Sequence, residues 1–311
     1  MTNTHSKHNK KIGRDLIKKA SEMAEVTFTP TGIPPLDFAM GGGLPQGRMI
    51  SIKGQPSATK TSLALTMIAS AQKQGINCVF VDAEWALLPK YAESLGVDLD
   101  KLLVIAPNTA EEAIDAVEVL IRDEARPSLV VVDSVSALSA KAESEADIEK
   151  QGMALQARVI TRALRKLTPI TSSTNSTIVW INQLRQNLLG GQYNPYIETG
   201  GMALKFFTSV ALEVKRKTGI EKDGKIAGYG IEIKVTKNKL GPPARSCELK
   251  FFFDSGFYCP RTVWVDIGQE LGLITRSGNS YSFKEEKLGI GKDASTELLT
   301  DKMIDEIKSL I

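Results

Sequence analysis

Four short runs that are apolar at every position place the tightest limit on how this chain folds. They are Cys78-Val79-Phe80-Val81, Leu102 to Ile105, Leu129-Val130-Val131-Val132 and Ile178-Val179-Trp180-Ile181. A strand without polar alternation has no face to give to water, so both of its faces must be covered. Helix-like stretches at 60–74, 89–95, 110–123 and 152–167 lie between and around the runs, and crossovers of that length join parallel neighbours. With a first buried strand at 49–53, the expectation is an α/β fold around a mostly parallel sheet. After about residue 208 the pattern changes. Segments 210–214, 231–235 and 248–253 predict antiparallel strands extending that sheet, with a hairpin connection in the Gly-rich stretch 224–230. From Pro260 onward, shorter elements and a final helix near 300–310 predict a small C-terminal α+β domain. At the other end Ile12, Leu16, Ala20 and Met23 recur at helical spacing among lysines, predicting a short amphipathic helix. The Gly/Pro-rich stretches 31–35 and 41–45 read as loops. The expected division is an N-terminal helix at 1–30, which by spacing alone reads as solvated or core-packed and in the sharper reading is an arm for subunit packing, a core at 31–258 and a C-terminal domain at 259–311.

Composition excludes several alternatives. At 311 residues the chain is long enough for one large core and an appendage. No apolar run approaches the ~20 residues of a spanning helix, and no signal-peptide core follows the N-terminal lysines, so a cytoplasmic protein without membrane contact is expected. Cys78, Cys247 and Cys259 lack metal-ligand spacing, and the only histidines are His5 and His8. Structural zinc and histidine-based catalysis are therefore excluded. The net charge of +3 is too small to bind nucleic acid by bulk attraction, so any such contact needs a local site.

The strand at 49–53 runs into Gly54-Gln55-Pro56-Ser57-Ala58-Thr59-Lys60-Thr61-Ser62, and an apolar helix begins at once. This is the strand-loop-helix setting of a phosphate-binding loop, in which backbone N–H groups and the helix N-terminus hold phosphates. Lys60 would reach the outer phosphates and the Thr61 hydroxyl would ligate Mg²⁺. Thr59 stands where the pattern G-x-x-x-x-G-K-[ST] has its second glycine, and by itself such a loop is also compatible with an ordinary strand-turn-helix. The run 129–132 ends in Asp133, which places a carboxylate beside the loop on the metal side. Glu84 follows the strand carrying Asp82, at the sheet end where α/β folds bind ligands, and could polarise an attacking water or simply open the next helix.

Several further segments together resemble the bacterial RecA strand-exchange recombinase family from about residue 31 to 291. They are Leu44-Pro45-x-Gly47-Arg48, Asp82-Ala83-Glu84-x-Ala86-Leu87, Val132-Asp133-Ser134-Val135, Arg165-Lys166-Leu167, Ile181-Asn182-Gln183-x-Arg185, Gly200-Gly201-x-Ala203-Leu204-Lys205-Phe206 and Lys237-Asn238-Lys239. Asn194-Pro195 and the stretch 284–291 also fit. The resemblance implies a P-loop ATPase core that uses ATP and Mg²⁺ and assembles as a helical homo-oligomer on single-stranded DNA. Its activity would be DNA-dependent ATP hydrolysis coupled to pairing and exchange with a homologous duplex. It implies Glu84 as catalytic carboxylate, Tyr91 on the adenine, and Gln183 as the sensor of the γ-phosphate at the start of a DNA loop near 184–199. Lys237 and Lys239 would reach a neighbour's nucleotide. A first DNA loop would lie near 146–153 and include Met153. Arg158, Arg165 and Arg185 would meet DNA phosphates, with Gly200 and Gly201 as a hinge; such contacts position a strand without reading its bases.

Departures from the family pattern carry their own expectations. Thr59 predicts retained nucleotide binding with slow hydrolysis. Leu88 replaces an acidic residue beside the adenine and bears on base selectivity. Met202, Gln192 and Tyr196 alter the loop region, and the end at Ile311 lacks the acidic tail of many relatives, which suggests easier access to duplex DNA and a divergent, phage-type relative. Two other readings remain open at this point. One is an ATP-switched DNA-binding filament with weak hydrolysis, and the other a hexameric helicase-like motor.

Overall fold

The computed structural model describes residues 19–122, 128–139, 152–186, 196–198 and 202–311. A short ladder of β1 (Phe28–Thr29) and β2 (Leu44–Pro45) brackets helix α1 (Pro34–Met40). The central units then follow in chain order. These are β3 (Met49–Gly54), α2 (Lys60–Lys73), β4 (Asn77–Asp82), α3 (Pro89–Ser94), β5 (Leu102–Ile105), α4 (Ala110–Arg122), β6 (Ser128–Asp133), α5 (Gly152–Ser173) and β7 (Thr177–Gln186). After β8 (Tyr196–Glu198) and α6 (Ala203–Phe207) come β9 (Val210–Lys222), β10 (Lys225–Asn238), β11 (Ser246–Phe252) and β12 (Gly256–Tyr258). The large sheet has the order β12-β11-β10-β9-β3-β7-β6-β4-β5, with β8 paired to β7. From β9 to β5 the neighbours are parallel, and from β9 to β12 they are antiparallel.

The apolar runs are explained by two cores, one on each face of the sheet. Cys78 and Phe80 of β4, Leu129 and Val131 of β6, and Val179 and Ile181 of β7 pack into one core with α2. Their alternating neighbours Val79, Val81, Val130, Val132, Ile178 and Trp180 pack into the other with α4 and α5. Each fully buried aliphatic side chain contributes about 1.5–3 kcal/mol, so this double layer dominates the stability of the sheet. The run at 102–105 behaves differently because β5 is the sheet edge. Leu103 and Val104 are 55% and 50% exposed, which corrects the expectation that it is covered on both faces.

A third core lies in the C-terminal part, where α7 (Val263–Glu270), β13 (Ile274–Ser277), β14 (Ser280–Phe283), β15 (Glu286–Ile290), α8 (Lys292–Glu297) and α9 (Asp301–Lys308) follow. Trp264, Ile267, Tyr281, Phe283, Ile304 and Ile307 meet there. The Thr300 hydroxyl accepts the Met303 N–H and so caps the last helix.

Three local expectations change. Residues 1–18 lie outside the described residues, and the described end of the predicted N-terminal helix is one 3₁₀ turn at Ala20–Glu22 with Met23 exposed. The stretch 31–35 is not only loop, since Pro34 and Pro35 open α1 in the first turn, where a missing N–H costs nothing. The hairpin turn is also shorter than the Gly-rich stretch suggested. Asp223 (φ 53°) and Gly224 (φ 72°) form it alone, because a two-residue connection matching strand twist needs positive φ at both positions. The strands continue past Gly228 and Gly230 with register shifts there.

Candidate nucleotide and DNA sites

The carboxyl ends of β3, β4, β6 and β7 converge on a cavity of about 640 Å³. Residues 56–62, Glu84, Tyr91, Asp133, Gln183, Arg216, Tyr229, Phe251 and Phe253 line it. Gly54 closes β3 beneath the loop; a Cβ there would stand 2.4 Å from the Val214 carbonyl oxygen, so no larger residue fits without moving β9. Lys60 is buried at the start of α2, and its ammonium donates to the carbonyls of Gly54 (3.1 Å) and Gln55 (2.8 Å). Burial lowers its pKa, and the carboxylates of Asp133 and Glu84 oppose that shift. The Thr61 hydroxyl donates to Asp133 Oδ2 at 2.5 Å. Burial pushes Asp133 up to about 6 despite the Thr61 hydroxyl, with Glu84 raising it further and Lys60 lowering it. A buried carboxylate paired with a hydroxyl at a helix start, beside a strand-to-helix loop and one ammonium, fits a polyphosphate with a divalent cation.

Thr59 occupies the position of the missing glycine and adopts the left-handed conformation that glycine favours (φ 61°, ψ 22°). Its hydroxyl turns back to the Ala58 carbonyl at 2.6 Å. A β-branched residue in this region is strained by about 1–2 kcal/mol. The strain belongs to the folded loop itself, so it weighs first on stability. Thr59→Gly should therefore raise the thermal unfolding midpoint by about 2 °C, the added chain entropy of glycine included, and leave ATP affinity within about threefold. A lower midpoint in calorimetry would show that Thr59 fits without strain.

Glu84 stands on the turn after β4. Asp82 holds that turn by accepting the N–H groups of Ala86 (3.1 Å) and Leu87 (3.0 Å), and the Ala83 N–H reaches the Asp133 carbonyl at 2.8 Å. Glu84 Oε1 accepts hydrogen bonds from Ser134 Oγ (2.6 Å) and Gln183 Nε2 (2.8 Å). Tyr91 of α3 shares a hydrogen bond with Ser62 at 2.6 Å. Leu88, at the start of α3, is exposed and is not among the cavity-lining residues.

Sequence reading missed the far wall of the cavity. Tyr229 and Phe253 meet edge to face with ring centroids 5.4 Å apart, and the Arg216 guanidinium lies 4.6 Å from the Tyr229 centroid. These residues come from the antiparallel extension, where the run 251–253 signalled only a strand.

Lys237 and Lys239 do not line this cavity. Their ammonium groups donate to carbonyls at the end of α6, Lys237 to Lys205 (2.6 Å) and Thr208 (2.7 Å), and Lys239 to Phe206 (3.0 Å). Arg158 and Arg165 are exposed on one face of α5, lining a groove with Arg162, which sequence reading did not single out. Lys166 of that helix instead pairs with Asp115 (3.0 Å) and with Glu118 of α4. Met153 lies in α5 and Arg185 in β7, while Gly200 and Gly201 lie outside the described residues.

A parallel sheet covered on both faces, a strand-loop-helix with Lys60 and Thr61, and a strand-end Asp133 hydrogen-bonded to that Thr define a P-loop ATPase. The family models of the RecA N-terminal domain and the RecA C-terminal domain match residues 1–258 and 263–311. The chain is 42% identical over 313 aligned residues to Protein RecA of Francisella tularensis subsp. novicida (strain U112), covering 98% of this chain and 86% of the relative. Protein RecA of F. tularensis subsp. tularensis (strain WY96-3418) gives the same values. The chain belongs to the RecA family of homologous recombinases. It is an ATP-dependent recombinase and DNA-dependent ATPase that uses ATP with Mg²⁺, binds single-stranded and duplex DNA, and forms filaments. No helix among the described residues is long and apolar enough to cross a membrane.

Proposed function

We propose that this cytoplasmic recombinase divides its work among the residues of the cavity and the sheet end around it. The amides of 54–62 and Lys60 hold the phosphates. Thr61 and Asp133 hold Mg²⁺, which when bound neutralises phosphate charge. Glu84 accepts a proton from the attacking water, while Tyr91, Tyr229 and Phe253 supply aromatic faces for the base. Lys237 and Lys239 lie away from their own chain's cavity, which supports a role on the nucleotide of the next protomer. Arg158, Arg165 and Arg185, with Met153, Gly200 and Gly201, serve the DNA strand. The arm at 1–30 packs subunits, 31–258 carries ATP and DNA, and 259–311 forms the small domain, a division supported by the separate C-terminal core.

The observation that carries this reading is the 2.8 Å hydrogen bond from Gln183 Nε2 to Glu84 Oε1. It ties the end of β7, the strand leading to the DNA loop, to the carboxylate beside the nucleotide. A γ-phosphate within reach competes for the same amide and draws β7 with it. Gln183→Ala should keep ATP affinity within about threefold yet erase the ATP-dependent gain in single-stranded DNA affinity, a coupling of about 5–150-fold where such switches are measured. Fluorescence anisotropy of labelled DNA, with and without ATP, reads it. An undiminished gain would place the switch elsewhere.

A further inference from the structure

We infer that Ser134 is the positioning residue that holds the Glu84 carboxylate during turnover. This inference rests on the reading of Glu84 as the proton acceptor. Ser134 is 0% exposed, and its Oγ donates to Glu84 Oε1 at 2.6 Å. A serine has one hydroxyl proton. With that proton committed to Glu84, the 2.6 Å contact between Ser134 Oγ and Ser136 Oγ must run from Ser136 to Ser134. The two hydroxyls then form a relay that polarises toward the carboxylate.

Both donors to Glu84, Ser134 and Gln183, converge on Oε1. Among the described residues no hydrogen bond to Oε2 is present, and Glu84 lines the cavity, so a water bound there can be met by the second oxygen. The two donors differ in what holds them. Gln183 is the group that a γ-phosphate would draw away, whereas Ser134 is fixed by its backbone. The Val135 N–H donates to the Ile181 carbonyl at 2.9 Å and the Ala83 N–H to the Asp133 carbonyl at 2.8 Å, locking the segments that carry Ser134 and Glu84 to each other and to β7. When Gln183 departs, Ser134 is the donor that remains among the described residues, and it keeps the Glu84 carboxylate in place.

The test is steady-state ATP hydrolysis on saturating single-stranded DNA with Mg²⁺, with kcat and KM for ATP measured separately. Ser134→Ala should lower kcat about tenfold, the loss expected for one hydrogen bond to a charged group, with KM within about twofold. Ser136→Ala, a milder change at a half-buried site, should lower kcat about two- to threefold by weakening the relay, again without moving KM. It also decides the matter should Ser134→Ala fail to fold. Parental kcat in either soluble variant overturns the proposal, as does a KM rise matching the loss of activity, since that would put Ser134 on the metal side through Asp133. Glu84→Gln is measured in parallel. Parental turnover there sinks the assignment of Glu84 itself, whereas loss in Glu84→Gln with none in Ser134→Ala removes Ser134 alone.

Discussion

Lys60→Ala is expected to weaken ATP binding by about a hundredfold and, with it, to remove ATP-dependent DNA binding. The ammonium is held by the carbonyls of Gly54 and Gln55, inside a loop otherwise built from neutral groups. Phosphate replaces those neutral acceptors with charged ones, and each charge-assisted hydrogen bond contributes about 1.5–3 kcal/mol, so losing two costs at least about two decades of affinity. Burial lowers the pKa of the ammonium, and the carboxylates of Asp133 and Glu84 oppose that shift. The variant should still fold, because the Gln55 carbonyl keeps the Ala58 N–H at 3.3 Å and the loop lines a cavity that water can enter. Titration with a fluorescent ATP analogue checks this, and affinity within about threefold of the parent would remove Lys60 from the phosphate site.

Glu84→Gln should lower turnover by about 10²–10³-fold while leaving ATP affinity and the ATP-dependent gain in DNA affinity intact. The amide has the shape of the carboxylate, and its oxygen can accept the same two donors, Ser134 and Gln183. The turn held by Asp82 therefore keeps its geometry. What the amide lacks is the basic lone pair that takes the proton of water. The expected variant is one that assembles on DNA with ATP and stays there. Parental turnover would move the proton acceptor to another group, and a lost DNA response would give Glu84 a part in the switch as well.

Much of the sheet was legible because its physical cause is local. Runs 78–81, 129–132 and 178–181 are apolar at every position because each strand is covered by one core on either face. Run 102–105 looks the same in sequence and differs only in having no neighbour beyond it, a property of strand order that no local window contains. The hairpin was misplaced for a related reason. Three glycines, at 224, 228 and 230, compete for the turn, and only the pairing register shows that Asp223-Gly224 makes it.

The phosphate end of the site is likewise written in one stretch of chain. A glycine under the loop, a lysine and a threonine at the helix start, and a carboxylate ending a strand are each fixed by short-range backbone geometry, so residues 54–62 and Asp133 could be named from sequence. The aromatic wall of Tyr229 and Phe253, and the double hydrogen bond on Glu84 from partners 50 and 99 residues away, could not. Those contacts depend on which strand ends lie side by side and in what register, as in the pairing of Asp82 with Asp133 and of Gly54 with Gln183. Sequence determined the chemistry available to this protein, because residue type and local periodicity set charge, burial and element. Tertiary structure decided which of those groups touch, because adjacency in a sheet is settled by the packing of the whole core.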